Sequence, residues 1–303
     1  MALLKFICAV VTRLLFILLS LIGVWRVTWV KNNNYYWFLT ILYLPLVAEM
    51  MLTLRRRKGK DYKWLSPAIL LFLISIIPTI WILELHHQQN KTNDDQCRKL
   101  DSTESIKSMI DFLRNTTSTD ESFKDSVRIL SSVCANDWIL ALHQIVLILL
   151  ILGKWLLPIG EGITRDELSQ LLLIFVGIAA DILEFTSETI IDVKDKSPEM
   201  VYVILAVWTW SMLQFPLHLS VLSSRSEDAS EGSFLKMHRT SIWGIVESLF
   251  IQDGPFLIVR MTIMFHFDVY HQMLVFFAIK NFLVVILNFY RLWVICQDYR
   301  SDL

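Results

Sequence analysis

The chain has 303 residues, of which 54% are apolar and only 19% charged, with 28 basic against 29 acidic side chains. Mean hydropathy is +0.50. This excludes a disordered chain, a disulfide-dense mini-domain and a basic nucleic-acid binder. The apolar residues fall in blocks long enough to cross a bilayer, which takes roughly 20 residues.

Eight such segments are predicted, at about 3–25, 36–54, 65–84, 138–157, 168–188, 200–222, 241–265 and 271–293. The expected fold is therefore an all-α polytopic membrane bundle of eight transmembrane helices. Segment 1 is too long for a cleaved signal peptide and is interrupted by Arg13, so it reads as a retained span. Between segments 2 and 3 lies a basic loop, 55–63, holding Arg55, Arg56, Arg57, Lys58, Lys60 and Lys63. Basic residues concentrate in cytosolic loops, which places this loop inside and, with eight crossings, both termini as well. On that assignment the cytosolic segments hold 14 basic residues and the short outside segments four. Arg55, Arg56, Arg57 and Lys58 also suit contact with anionic lipid headgroups, although topology alone accounts for them.

The loop 85–137 then lies outside. It carries two glycosylation sequons, Asn90-Lys91-Thr92 and Asn115-Thr116-Thr117, and two cysteines, Cys97 and Cys134. In an oxidising compartment Cys97 and Cys134 are expected to pair, the alternative being two free thiols. Stretches 103–114 and 121–133 have helical apolar spacing, so the loop reads as a small cap. Cys8 and Cys296 fall at cytosolic ends, as interfacial thiols or palmitoylation sites.

Ser66-Pro67 opens segment 3 as an N-cap with proline at the first helical position, and Thr164 to Glu167 has the spacing of a capping box before segment 5. Trp25, Trp29, Tyr35, Tyr36, Trp37, Trp64, Trp81, Trp138 and Trp155 cluster near segment ends, as interfacial aromatics do. Pro45, Pro78 and Pro216 read as plain kinks within segments 2, 3 and 6. Residues 223–240 form a Ser-rich cytosolic linker, and no internal repeat is evident.

The chemistry lies in charges within the apolar blocks, each costing at least about 2.5–3.5 kcal/mol at the bilayer centre. From a rise of about 1.5 Å per residue, Arg13 and Glu49 reach similar depths on adjacent segments and are expected to pair. The same arithmetic pairs Asp253 of segment 7 with Lys280 of segment 8. Asp181, Glu184 and Glu188 share one face of segment 5 with Gly177, and Arg260 is a partner for one of these acids. The run Gln252-Asp253-Gly254-Pro255 marks a broken helix, the kind of element that exposes carbonyls at an ion site. Asp181, Glu184, Asp253 and Lys280, with Gln252 and Asn281 beside them, are the candidate ion or substrate pathway. Arg13, Glu49 and Arg260 are candidate structural ion pairs. Acids exceed bases in the core, which favours a cation or proton.

His86, His87, His143, His266 and His271 fall near the outside face, but no tight ligand motif is present, so no metal site is assigned. There is no HExxH, GxSxG or P-loop pattern, so neither an enzyme nor a cofactor is expected.

Several stretches carry a family likeness. They include Thr12 to Phe16, Gly23 to Val27, Tyr62-Lys63-Trp64 with Ser66 to Ile69, and Trp155 to Gly160. Further on come Gly162 to Leu173, Ala179 to Glu188, Trp208 to Pro216, Phe250 to Leu257 and Gln272 to Ala278. Through them residues 12–291 resemble the transmembrane protein 26 family, some members of which carry a longer cytosolic tail. The resemblance implies a multi-pass, cell-surface protein and supplies no ligand or catalytic residue.

Two functions follow as expectations. The first is a channel or carrier for a cation, proton or small solute. The alternative is a plasma-membrane receptor or scaffold working through its outside loop with a protein partner or a second copy of itself. In both the bilayer is the solvent and no nucleic acid is bound.

Overall fold

A computed structural model describes residues 2–57, 65–89, 107, 133–157, 165–193, 197–217, 242 and 244–301. Among them the regular structure is helical, apart from an isolated bridge between Leu65 and Leu217. Helix α1 runs Ala2–Lys31. Asn32 ends it in the left-handed conformation (φ 46°) and Asn33 caps the next element, its side chain accepting from the Tyr35 amide. Asparagine tolerates both positions, which is why the turn is so short. That next element, Asn34–Tyr43, is a 3-10 helix leading into α2, Leu44–Arg57. Helices α3 (Pro67–Gln89), α4 (Ala135–Leu156), α5 (Arg165–Val193) and α6 (Pro198–Met212) follow. A π-helical turn, Ser248–Asp253, opens α7 (Gly254–Phe267), and α8 is Gln272–Ser301. Asp268 closes α7 in the left-handed conformation, and His271 caps α8 through Nδ1 on the Leu274 amide.

Two of the prolines read as kinks mark a change of helical geometry, Pro45 within segment 2 and Pro216 past the end of α6. Pro45 lies at the change from 3-10 to α geometry, where Leu44 N–H bonds to Ile41 and Pro45 has no N–H to continue. Pro216 lies beyond α6. Since it cannot donate to Met212, the chain tightens to three-residue bonds, Leu213 to Trp210, Gln214 to Ser211 and Phe215 to Met212. Segment 6 therefore ends its α-helix at Met212, not near 222. Among the described residues seven helices are long and apolar enough to cross a membrane, and α6 falls short of that length. The chain is a multi-pass membrane bundle by these helices. The expected eighth crossing does not follow from α6 alone.

The helices alternate in direction. Arg13 meets Glu49 and Tyr43 meets Ser20, so α1 and the second span are antiparallel. Phe16 stacks on Phe72 and Ser20 bonds Ser75, so α1 and α3 are parallel. Gly153 of α4 lies against Phe16, while Arg26 reaches Val133. Trp81 of α3 bonds Thr209 and packs on Tyr202, and Ser66 N–H bonds the Pro216 carbonyl. Residues 202–217 thus run antiparallel along most of α3.

The interior belongs to α1, α3 and α4. Phe16 and Phe72 stack at 4.4 Å. Two glycines set the spacing. A Cβ on Gly153 would lie 2.7 Å from the Phe16 ring, and one on Gly23 would lie 2.9 Å from Thr79. In the apolar window of α3, 56% of residues are buried, against 17% for α8. Helix α8 is peripheral, presenting Phe276, Ile279, Leu283, Leu287 and Trp293 outward. In a bilayer such a surface is matched by lipid tails.

Candidate functional site

The pair nearest the first turns of the bundle is Arg13 with Glu49. Arg13 is fully buried and donates through Nε (2.9 Å) and Nη2 (2.8 Å) to the two carboxylate oxygens. Thr53 adds a 2.7 Å bond to Glu49 Oε1, and Arg13 Nη1 reaches the Ala9 carbonyl. A bidentate arginine–carboxylate pair with every strong acceptor used is a structural tie between two helices.

The second cluster lies between α5, the seventh span and α8. Asp181 and Glu184, three residues apart, project from one side of α5 as helical spacing requires. Arg260 donates to Glu184, and Lys280 to Asp181. The Arg260 guanidinium is buried among Phe185, Phe256 and Phe277, with ring centroids 5.5, 6.0 and 5.3 Å away. Phe185 and Phe256 themselves stack at 4.0 Å. The arginine thereby joins α5, α7 and α8.

The expected pairing of Asp253 with Lys280 is not present. Lys280 has the right depth but takes its carboxylate from α5. The cause is the π turn. Its extra residue brings Ser248 and Asp253, five apart, into register, and Ser248 Oγ donates to Asp253 at 2.5 Å. Asn288 of α8 in turn donates to Ser248 at 2.9 Å. The neighbouring Gln252 faces α5 instead and donates to Asp181 at 3.2 Å, while Gln214, beyond α6, donates to Gln252 at 3.0 Å. Gly254 makes this turn possible. A Cβ there would sit 2.1 Å from the Leu249 carbonyl oxygen, inside any allowed contact.

Burial divides the cluster. Arg260 and Asp253 are buried, but the side chains of Lys280 and Asp181 are 32% and 31% exposed. One turn before Asp181, Gly177 has nothing within 4 Å of where its Cβ would lie. The glycine leaves space; it does not bring two helices together. Asn281, next to Lys280, is buried with its Nδ2 unpaired. The network holds three carboxylates (Asp181, Glu184, Asp253) and two cations (Arg260, Lys280), one negative charge in excess.

Arg55 is exposed near the end of α2, while Lys58 and the side chains of Arg56 and Arg57 lie outside the described residues. So do Trp64, Asn90, Cys97, Asn115, Thr164 and the loop stretches 103–114 and 121–133, residues 107 and 133 excepted. Cys134 is the buried N-cap residue of α4. Cys8 and Cys296 are free thiols. Two of the basic residues included in the cytosolic and short outside totals, Lys154 and Arg26, are buried. Arg26 packs 4.9 Å from the Trp138 ring and bonds the Val133 carbonyl. Lys154 donates to the Leu217 carbonyl at 3.0 Å over the Phe175 ring. Both look peripheral in one dimension because they sit at helix ends; only the neighbouring helices bury them. Glu84 of α3 and His143 of α4, both at the outside end by sequence, approach to 3.8 Å between Oε1 and Nε2.

The model of the family described as Transmembrane protein 26 matches residues 3–291. No solved structure matches the chain.

Proposed function

The chain belongs to the transmembrane protein 26 family, and we propose that it conducts or carries a cation, proton or small cationic solute along the polar seam of α5, the seventh span and α8. The observation that carries this reading is the Asp181–Lys280 pair, one third exposed on helices apolar enough to span a membrane. An ion pair facing lipid tails is unfavourable, so such groups face water or other protein. The open space at Gly177, the broken helix at Ser248–Asp253 and the excess carboxylate fit a wet seam that attracts cations. An entering cation competes with Lys280 for Asp181, and Gln252 and Gln214 supply uncharged ligands beside it. No catalytic role is proposed.

The proposed topology has eight crossings with both termini and the 55–63 loop cytosolic. Support comes from the basic-residue bias and from the 198–217 segment, which accompanies α3 from the level of Trp81 to that of Ser66. The 85–137 loop is then outside, glycosylated at Asn90 and Asn115 and closed by Cys97–Cys134, at the plasma membrane.

A second reading, a receptor or scaffold acting through that loop, is favoured by one contact. Arg26 clamps the loop's root at Val133 and Trp138, which would hold a cap in a fixed attitude.

Flux through the full-length protein reconstituted in liposomes separates the two. Wild type, Asp181→Asn and Asp253→Asn are compared with monovalent cations and protons. Flux reduced about tenfold or more by either substitution supports the seam. Absence of wild-type flux over a range of pH and ions overturns it and leaves the loop reading.

A further inference from the structure

Deeper in the same seam, the seventh span and α8 pack antiparallel between two polar ties. Arg260 Nη1 bonds the Phe277 carbonyl at 3.5 Å, and Asn288 Nδ2 bonds Ser248 Oγ at 2.9 Å. These ties bracket Asp253 on one helix and Asn281 on the other. Asn281 shares a stripe of α8 with Phe277, one turn before it, and Asn288, two turns after. Asp253 is 7% exposed and Asn281 2%.

Both carry polar atoms with nothing to bond. Ser248 donates to Asp253 Oδ2, and no donor among the described residues reaches Oδ1. Asn281 Nδ2 is buried and unpaired, and no donor among the described residues reaches its oxygen. A buried amide without a partner is costly, which points to a species held between Asn281 and Asp253. The amide turned by 180° exchanges nitrogen for oxygen, so Asn281 can present an acceptor. A hydroxyl oxygen has two lone pairs; Asn288 uses one on Ser248 and the other is free.

A water would answer the hydrogen bonds but not the charge. Arg260 is committed to Glu184 and Lys280 to Asp181, while Asp253 has only the neutral Ser248 hydroxyl. The excess negative charge of the network therefore rests on Asp253. One monovalent cation makes the network neutral, which the low dielectric of a span favours. A divalent cation overshoots by one charge, and among the described residues no three His, Cys, Asp or Glu side chains converge to hold it. A proton on Asp253 balances the charge but leaves the Asn281 amide unanswered.

We infer that Asp253 Oδ1, the Asn281 amide oxygen and Ser248 Oγ hold one alkali-metal cation, with water completing its coordination, a site that rests on the seam's reading as a cation path and gives that path its ion. The π turn puts two of these ligands in register, and a broken helix bearing a carboxylate is a recurrent place for such an ion in a membrane protein.

The test takes purified full-length protein in detergent and replaces choline chloride by sodium or potassium chloride at fixed ionic strength and pH, reading the melting temperature. Sodium or potassium should raise it by a few degrees in a saturable way. Asp253→Asn should weaken the apparent affinity about tenfold or more, as loss of a charged ligand does. Asn281→Leu separates binding from packing and serves if Asp253→Asn folds poorly. It removes an unpartnered amide, so in choline the variant should melt no lower than wild type, while its response to sodium or potassium should be lost. The site is overturned by no shift with either metal, by an undiminished shift in either variant, by a lower melting temperature of Asn281→Leu in choline, or by stabilisation on acidification alone. Liposome flux keeps the two readings apart: flux that depends on Asp253 without a metal shift overturns this site and leaves the seam, whereas a metal shift without flux overturns conduction and leaves a resident ion.

Discussion

Replacing Arg13 by Met should destabilise the bundle by about 3–5 kcal/mol, the usual cost of removing one member of a buried ion pair. The structure says why the value belongs at that end. Arg13 is 0% exposed and Glu49's side chain 9%, so neither charge is screened by water. The substitution removes two charge-assisted bonds, at 2.9 and 2.8 Å, and leaves Glu49 only the Thr53 hydroxyl. Each such bond contributes about 1.5–3 kcal/mol, and methionine refills most of the arginine's aliphatic volume, so cavity formation adds little. The double variant Arg13→Met with Glu49→Leu should recover to within roughly 1–2 kcal/mol of wild type, because replacing both charges by apolar groups is often neutral or better. The assay is reversible unfolding in mixed micelles with increasing denaturing detergent, run on both singles and the double. A coupling of about 2 kcal/mol or more is expected. Additive single effects, with the double least stable of all, would refute the reasoning and show that the two residues act independently.

The glycines give opposite signs. Gly153→Val should destabilise by about 1–3 kcal/mol through overpacking against Phe16, whereas Gly177→Ala, with open space around it, should be neutral or stabilising by up to about 1 kcal/mol; the same unfolding assay reads both. Gly254→Ala meets the Leu249 carbonyl at 2.1 Å, so the π turn must be lost; cross-linking between cysteines placed at Ser248 and Asn288 should fall sharply in that background. Asn90→Gln and Asn115→Gln should each remove one glycosidase-sensitive step in electrophoretic mobility, and a wild type with no glycosidase-sensitive step would contradict the outside placement of the sequons.

Much of the fold is legible in the sequence because membrane spans are set by length and apolarity, and depth follows from a fixed rise per residue. Arg13 and Glu49 sit on consecutive antiparallel helices, so depth alone identifies partners. Depth fails for Lys280. Asp253 and Asp181 lie at comparable levels, and the choice between them depends on rotation about the helix axis, which the π turn changes by inserting a residue. Gly254-Pro255 hints at a break without giving its register. Glu84 and His143 are legible in part. Both read as residues of the outside end, but they lie on helices separated by a long loop, so their contact is not. The shortening of α6 is readable in retrospect from Pro216, whose missing N–H ends the α-helical bonding four residues earlier.

The central claim, that the α5–α7–α8 seam faces water, is tested most directly by thiol accessibility at Gly177. In a background with the free thiols Cys8 and Cys296 replaced by alanine, Gly177→Cys is compared with Leu287→Cys, an exposed apolar position on α8. A cationic, membrane-impermeant thiosulfonate reacts only with thiolates, which form in water and not in lipid. The account predicts rapid labelling at 177 and none at 287. Equal silence at both positions would place Asp181 and Lys280 against lipid or protein and would contradict a conducting seam.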